Sequence, residues 1–142
     1  MKTLVTAVLM AVLCTVTASA KAQEIPVATG TVSTVLVNES SIGKYVGNFV
    51  NTRNPTNNPM GMEFTISSLN GGAVSGAVVL YGGSCRGESY QFSGTFEGSR
   101  IKGTATSPAR CPADLKLDAE LKDGRITGGM VGSNQYAVEL RK

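Results

Sequence analysis

An all-β fold, an antiparallel up-and-down meander of about eight strands closing into a small barrel with one disulfide, is predicted by three observations. A glycine-punctuated unit recurs as Gly72-Ala73-Val74-Ser75-Gly76, Ser99-Arg100-Ile101-Lys102-Gly103 and Gly124-Arg125-Ile126-Thr127-Gly128. Each copy follows a turn signal, at Asn70-Gly71, Glu97-Gly98 and Lys122-Asp123-Gly124, which is the pattern of a hairpin ladder. Apolar and polar residues alternate with period two between glycine, asparagine and proline punctuation, and helical periodicity is nearly absent. The alternation leaves one dry face. Antiparallel strands with a single apolar face must pack on a second layer or close on themselves, and no helix is present to cover them.

The first element, residues 1–20, reads as an export signal rather than as part of the fold. Lys2 gives a positive start, Leu4 to Val16 is an apolar stretch too short to span a bilayer comfortably, and Ala18-Ser19-Ala20 is a small-residue cleavage site. Ala20-Lys21-Ala22 satisfies the same rule, so cleavage falls near Ala20 or Ala22. Leu13 before Cys14 is too bulky for an acylation site. The remainder is within the size of one domain, periplasmic or secreted.

Residues 21–43 read as an extended leader with a possible first strand at Thr31 to Val37, and 44–142 as the barrel domain. Its strands are expected at Lys44 to Val50, Met62 to Leu69, Ala73 to Tyr81, Ser89 to Glu97, Arg100 to Thr106, Leu115 to Leu121, Arg125 to Val131 and Gln135 to Arg141. One face carries Tyr45, Phe49, Phe64, Ile66, Val74, Val78, Phe92, Phe96, Ile101, Leu115, Leu117, Leu121, Ile126, Val138 and Leu140. The other carries Glu63, Thr65, Gln91, Ser93, Lys102, Lys116, Asp118, Glu120, Thr127 and Glu139. That polar outer face excludes an outer-membrane barrel, whose lipid face is apolar. Gly47, Gly76, Gly94, Gly103 and Gly128 fall on the inward parity, where they permit bending and close approach or else open a ligand cavity. The bulk of Tyr45, Phe49, Phe64, Phe92 and Phe96 favours a filled core.

Cys14 leaves with the signal, so Cys85 and Cys111 form an even pair in an oxidising compartment and are expected to be bridged. In a meander the turns at Gly71, Gly98 and Gly124 share one end. Both cysteines fall in the loops of the other end, as a bridge requires. Those loops are the longer ones, and binding residues concentrate on loops held by a rigid frame. The candidate binding residues are therefore Arg53, Asn54, Asn57, Tyr81, Ser84, Arg86, Arg110 and Asn134, with Glu88 and Asp114 as the main acids. Guanidinium forks and amides of this kind grip carboxylate, phosphate or sugar; alternatively, the arginines pair with neighbouring acids.

Several chemistries are excluded. The chain has no histidine, so no Ser-His-Asp triad and no imidazole metal ligand exist. A bridged cysteine pair offers neither thiolate nucleophile nor zinc ligand. The acids have no calcium-loop spacing, and no phosphate-cradling glycine motif is present. No cofactor, no metal and no catalytic residue is expected. Thirteen basic residues, Lys2 among them, against ten acidic ones leave no basic run for nucleic acid, and no later segment is long enough for a membrane helix.

Tyr45-Val46-Gly47-Asn48-Phe49, followed by glycine-turned alternating strands, resembles the opening of small exported bacterial calycin-type barrels such as avidins and lipocalins. The likeness is one of pattern and runs from about Gly43 to Arg141; it implies a ligand-binding barrel. Avidin-type barrels place tryptophans around their ligand, and this chain has none. Small periplasmic inhibitors of lysozyme or of secreted metalloproteases are similar in size, export and disulfide usage.

The reading is thus an exported, non-enzymatic binding barrel whose bridged loop end engages a small polar or anionic ligand or an envelope glycan. The alternative is a protein-binding inhibitor or adhesive module acting through the same loops or through the leader as an added strand. A monomer or weak dimer is expected, dimers forming by edge pairing if the ring is incomplete.

Overall fold

The computed structural model describes residues 39–56 and 58–142. The expected signal peptide, the leader as far as residue 38 and the possible strand at Thr31 to Val37 lie outside the described residues, as does Asn57. A 3-10 turn, Glu39–Ser41, leads into strands β1 (Gly43–Asn51), β2 (Met60–Asn70), β3 (Ala73–Leu80), β4 (Ser89–Glu97), β5 (Arg100–Thr106), β6 (Leu115–Lys122), β7 (Arg125–Val131) and β8 (Gln135–Arg141). Each strand pairs antiparallel with its sequence neighbours, and β1 pairs with β8, from Val46 opposite Arg141 to Asn51 opposite Tyr136. The ring is closed, so these strands offer no free edge for pairing with a second copy.

Strand ends in β1, β2, β3 and β6 differ from expectation by one or two residues, and two of these differences have a local reason. β2 starts at Met60 because Met60 and Gly61 pair with Phe49 and Asn48 of β1. β3 stops at Leu80 rather than Tyr81, where the chain turns into Gly82-Gly83, the second of these with φ of 76°.

Every residue assigned to the dry face is buried, and Met62, Leu80, Tyr90, Ala105, Ala119 and Met130 join them on the same parity. No polar or charged side chain is buried among the described residues. The inward glycines serve packing. Gly94 and Gly103 face each other across β4 and β5, and a Cβ on either would overlap the partner strand's backbone. The tip of the Phe92 ring occupies the space a Gly103 side chain would need. The opposite case is the turn between β6 and β7, where Asp123 (φ 49°) and Gly124 (φ 72°) take the left-handed conformation of a two-residue hairpin turn.

The Cys85–Cys111 disulfide joins the β3–β4 and β5–β6 loops, with Cα atoms 5.7 Å apart. It fixes the two ends as the sequence sorts them: short turns at one, long loops at the other. At the short-turn end the incoming chain is tied to the barrel. Tyr45 Oη donates to the Ser41 carbonyl at 2.8 Å. Lys142 Nζ donates to the carbonyls of Ser40 and Ile42, and its amide donates to Gly124 O at 2.9 Å. The same ammonium lies 5.8 Å from the Tyr45 ring centroid. Among the described residues no helix is long and apolar enough to cross a membrane.

Candidate functional site: the aromatic mouth

At the loop end the inward parity of several strands converges on a small opening. Phe49 near the end of β1, Tyr90 at the start of β4 and Tyr136 at the start of β8 supply aromatic walls. Met60, Leu80 and Leu115 complete the apolar lining of a cavity of about 90 Å³. Ser84, Ser133 and the bridged Cys85 form part of its rim. The Phe49 and Tyr136 rings meet edge to face, centroids 5.2 Å apart and planes at 78°. Deeper in the core Phe64 and Phe92 make a second such contact at 4.8 Å. The interior is therefore filled; the mouth opens at the loop end, and a hollow of about 360 Å³ beside Tyr45, Phe96 and Leu121 opens at the short-turn end.

Two carboxylates stand on the loops near the mouth, and no charged side chain lines it. Glu88 stands just before β4, its amide donating to the Cys85 carbonyl at 3.2 Å. Asp114 stands just before β6 and accepts the Ser107 amide at 2.7 Å through Oδ1, which holds the β5–β6 loop against the barrel. Tyr90 is 2% exposed. Burial pushes its phenol pKa up, and Glu88, Tyr136 and Asp114 add to the shift in that order. Tyr90 is thus a neutral phenol at ordinary pH. Among the described residues neither the Tyr90 nor the Tyr136 hydroxyl has a hydrogen-bond partner.

Of the residues picked out from the sequence, only Ser84 lines this cavity. Arg86 and Arg110 are exposed, each next to a bridged cysteine, and Arg53 is exposed in the β1–β2 loop. Among the described residues none of these three guanidiniums enters an ion pair, so the expectation that they pair with neighbouring acids is not met. Asn54 accepts Thr56 Oγ1 at 2.6 Å within its own loop, and the Asn134 carbonyl accepts the Gly132 amide at 2.9 Å. Tyr81 lies on the outer wall, 48% exposed, donating to Glu63 at 3.3 Å. Asn57 is outside the described residues. Phe49, Tyr90 and Tyr136, which build the mouth, are marked in sequence only by their inward parity at strand ends.

A wider trough of about 810 Å³ crosses the outer wall over β1, β8 and β7, beside Val46, Val50, Pro59 and Ala137. Its acid, Glu139, is already tied to Arg125 and Arg141. Among the described residues no group of three or more acids and cysteines is placed to hold a metal ion.

Fold and mouth together define a class: a small closed meander barrel with a packed interior and one shallow aromatic opening. No family model and no curated protein matches the chain. Among solved structures, the complex of bradavidin2 with biotin is similar at 17% identity over 69% of this chain and 96% of that one, with a TM-score of 0.48. That likeness is too distant to carry a ligand or a site across.

Proposed function

We propose that this is an exported, non-enzymatic binding barrel that captures, at its bridged loop end, one small polar group displayed by a larger ligand, an envelope glycan being the class that fits best. The observation that carries the reading is the size of the opening. Pockets that engulf a whole small molecule run to about 300–1,000 Å³, and one water claims about 30 Å³ of liquid. A mouth of about 90 Å³ has room for a single compact group, with the rest of the ligand left outside. There the unpaired Arg53, Arg86 and Arg110 are available to hydroxyls or acidic groups. The disulfide supports export, since such bridges persist in oxidising compartments.

The filled interior also favours a second reading, contact with a protein through the same loops or the leader. One experiment separates them. Ser84→Trp plugs the rim without touching the core, and retention on immobilised cell-envelope glycan is compared with wild type. Loss of retention with an unchanged circular dichroism spectrum supports capture in the mouth; equal retention, or none by wild type, overturns it. Deleting residues 21–30 leaves glycan retention intact under the first reading and abolishes leader-mediated inhibition under the second.

A further inference from the structure

We propose that the group entering the mouth is cationic, an ammonium or methylated ammonium seated against Phe49, Tyr90 and Tyr136, with Glu88 and Asp114 on the adjoining loops. The inference rests on the mouth being the binding site and adds the charge of what it takes.

The walls carry the first part of the argument. Phe49 and Tyr136 stand at 78° with centroids 5.2 Å apart, and Tyr90 lines the same space. Rings meeting at a corner present electron-rich surface from more than one direction to a group between them, the arrangement that attracts a cation. The Tyr90 and Tyr136 hydroxyls, unpartnered among the described residues, add acceptor capacity.

The charge around the opening carries the second part. No charged side chain of either sign lines the cavity, so the charges that act on it come from the surrounding loops. Arg53, Arg86 and Arg110 are exposed on the surrounding loops, outside it. The acids are placed by the topology: Glu88 immediately precedes β4 and Asp114 immediately precedes β6, the two neighbours of β5. Both add to the upward shift of the Tyr90 phenol, to which no lysine or arginine contributes. An anion entering this space would meet aromatic surface under the field of two nearby carboxylates, whereas an ammonium is complementary to both. Asp114 retains acceptor capacity beyond the Ser107 amide that Oδ1 already takes.

Size carries the third part. About 90 Å³ suits a compact head group rather than an extended one.

The test uses choline chloride and its neutral isostere 3,3-dimethylbutan-1-ol, each titrated into the protein while the ring resonances of Phe49, Tyr90 and Tyr136 are followed by NMR. Choline is expected to shift those signals saturably and to bind about tenfold more tightly than the alcohol. Added salt should weaken choline and leave the alcohol unaffected. The double variant Glu88→Gln, Asp114→Asn keeps an acceptor for the Ser107 amide, so the loop is held, and it should reduce the choline preference severalfold. Tyr136→Leu should abolish it. Equal binding of choline and the alcohol, preferential binding of acetate at the same resonances, or no shift with choline overturns the cation assignment. The glycan assay distinguishes the two failures: if Ser84→Trp loses retention while choline fails, the mouth remains the binding site and only its charge class is wrong. If Ser84→Trp is retained and choline fails, both readings fall.

Discussion

Gly94 and Gly71 both sit in the glycine-rich hairpin ladder, yet they restrain the barrel in different ways. Gly94 has no room for a side chain, because the Lys102 carbonyl and the Gly103 backbone occupy the place of its Cβ. Gly71 has open space around it but a φ of 56°, which strains any residue bearing a Cβ. Gly94→Ala is accordingly expected to destabilise the protein by about 2 kcal/mol or more, as overpacking against backbone does. Gly71→Ala should cost about 1 kcal/mol, the left-handed penalty alone. Urea midpoints of the two variants check the order, and a reversal would contradict the close approach of β4 and β5. Another residue-scale effect lies on the outer wall. Arg100 forks onto Asp118 at 2.7 and 2.9 Å and, by hydrogen bond first and charge second, holds that carboxyl below its ordinary value. A carboxyl depressed in the folded state adds stability above its unfolded pKa, and loses it as pH falls through the folded one. Thermal melts across the acid range should therefore show a small decline that Arg100→Gln flattens. The pair is exposed and salt-screened, so the effect should also shrink in high salt.

Among the elements, the two bridged loops decide how well the mouth is held. The cysteines are 26 residues apart, and closing a loop of that length restricts the unfolded chain by about 3–4 kcal/mol in the chain-entropy account. Cys85→Ser with Cys111→Ser should lower the urea midpoint accordingly, while far-UV circular dichroism keeps its strand signature below the transition. Loss of the strand signature in buffer would mean that the bridge defines the fold rather than stabilising it. The strands were legible in sequence because period-two patterning and turn glycines are local signals, as the agreement at β4 to β8, to within one residue at the end of β6, illustrates. The mouth was less so. Tyr81 attracts notice as an aromatic beside a loop, yet Val78 and Leu80 point inward and so put Tyr81 on the wall, bonded to Glu63. Tyr90 and Tyr136 carry the same parity as the core and read as packing. Only the three-dimensional convergence of strand ends separates a residue that fills the barrel from one that lines its opening. Arg86 and Arg110 were read correctly as belonging to the loop end, but spacing says nothing about whether a long side chain turns inward or out to water.

For the molecule as a whole, closure and filling act together. A ring without free edges removes strand addition from the described barrel, and a packed interior removes the deep ligand pocket. Among the described residues, the loop end combines an aromatic-lined cavity with unpaired polar groups. The opposite end is occupied by the chain's own entry and exit, where Lys142 Nζ reaches the Ile42 carbonyl at 2.7 Å. That contact places the first and last strands of the ring side by side at the end farthest from the mouth. The order in which the strands are strung is therefore separable from the surface they build. A permuted chain, with residue 142 joined to residue 42 by a few glycines and new termini cut between Asp123 and Gly124, should keep the ring, the Cys85–Cys111 bridge and the choline-induced shifts of Tyr90 and Tyr136, because cut and splice both lie at the short-turn end.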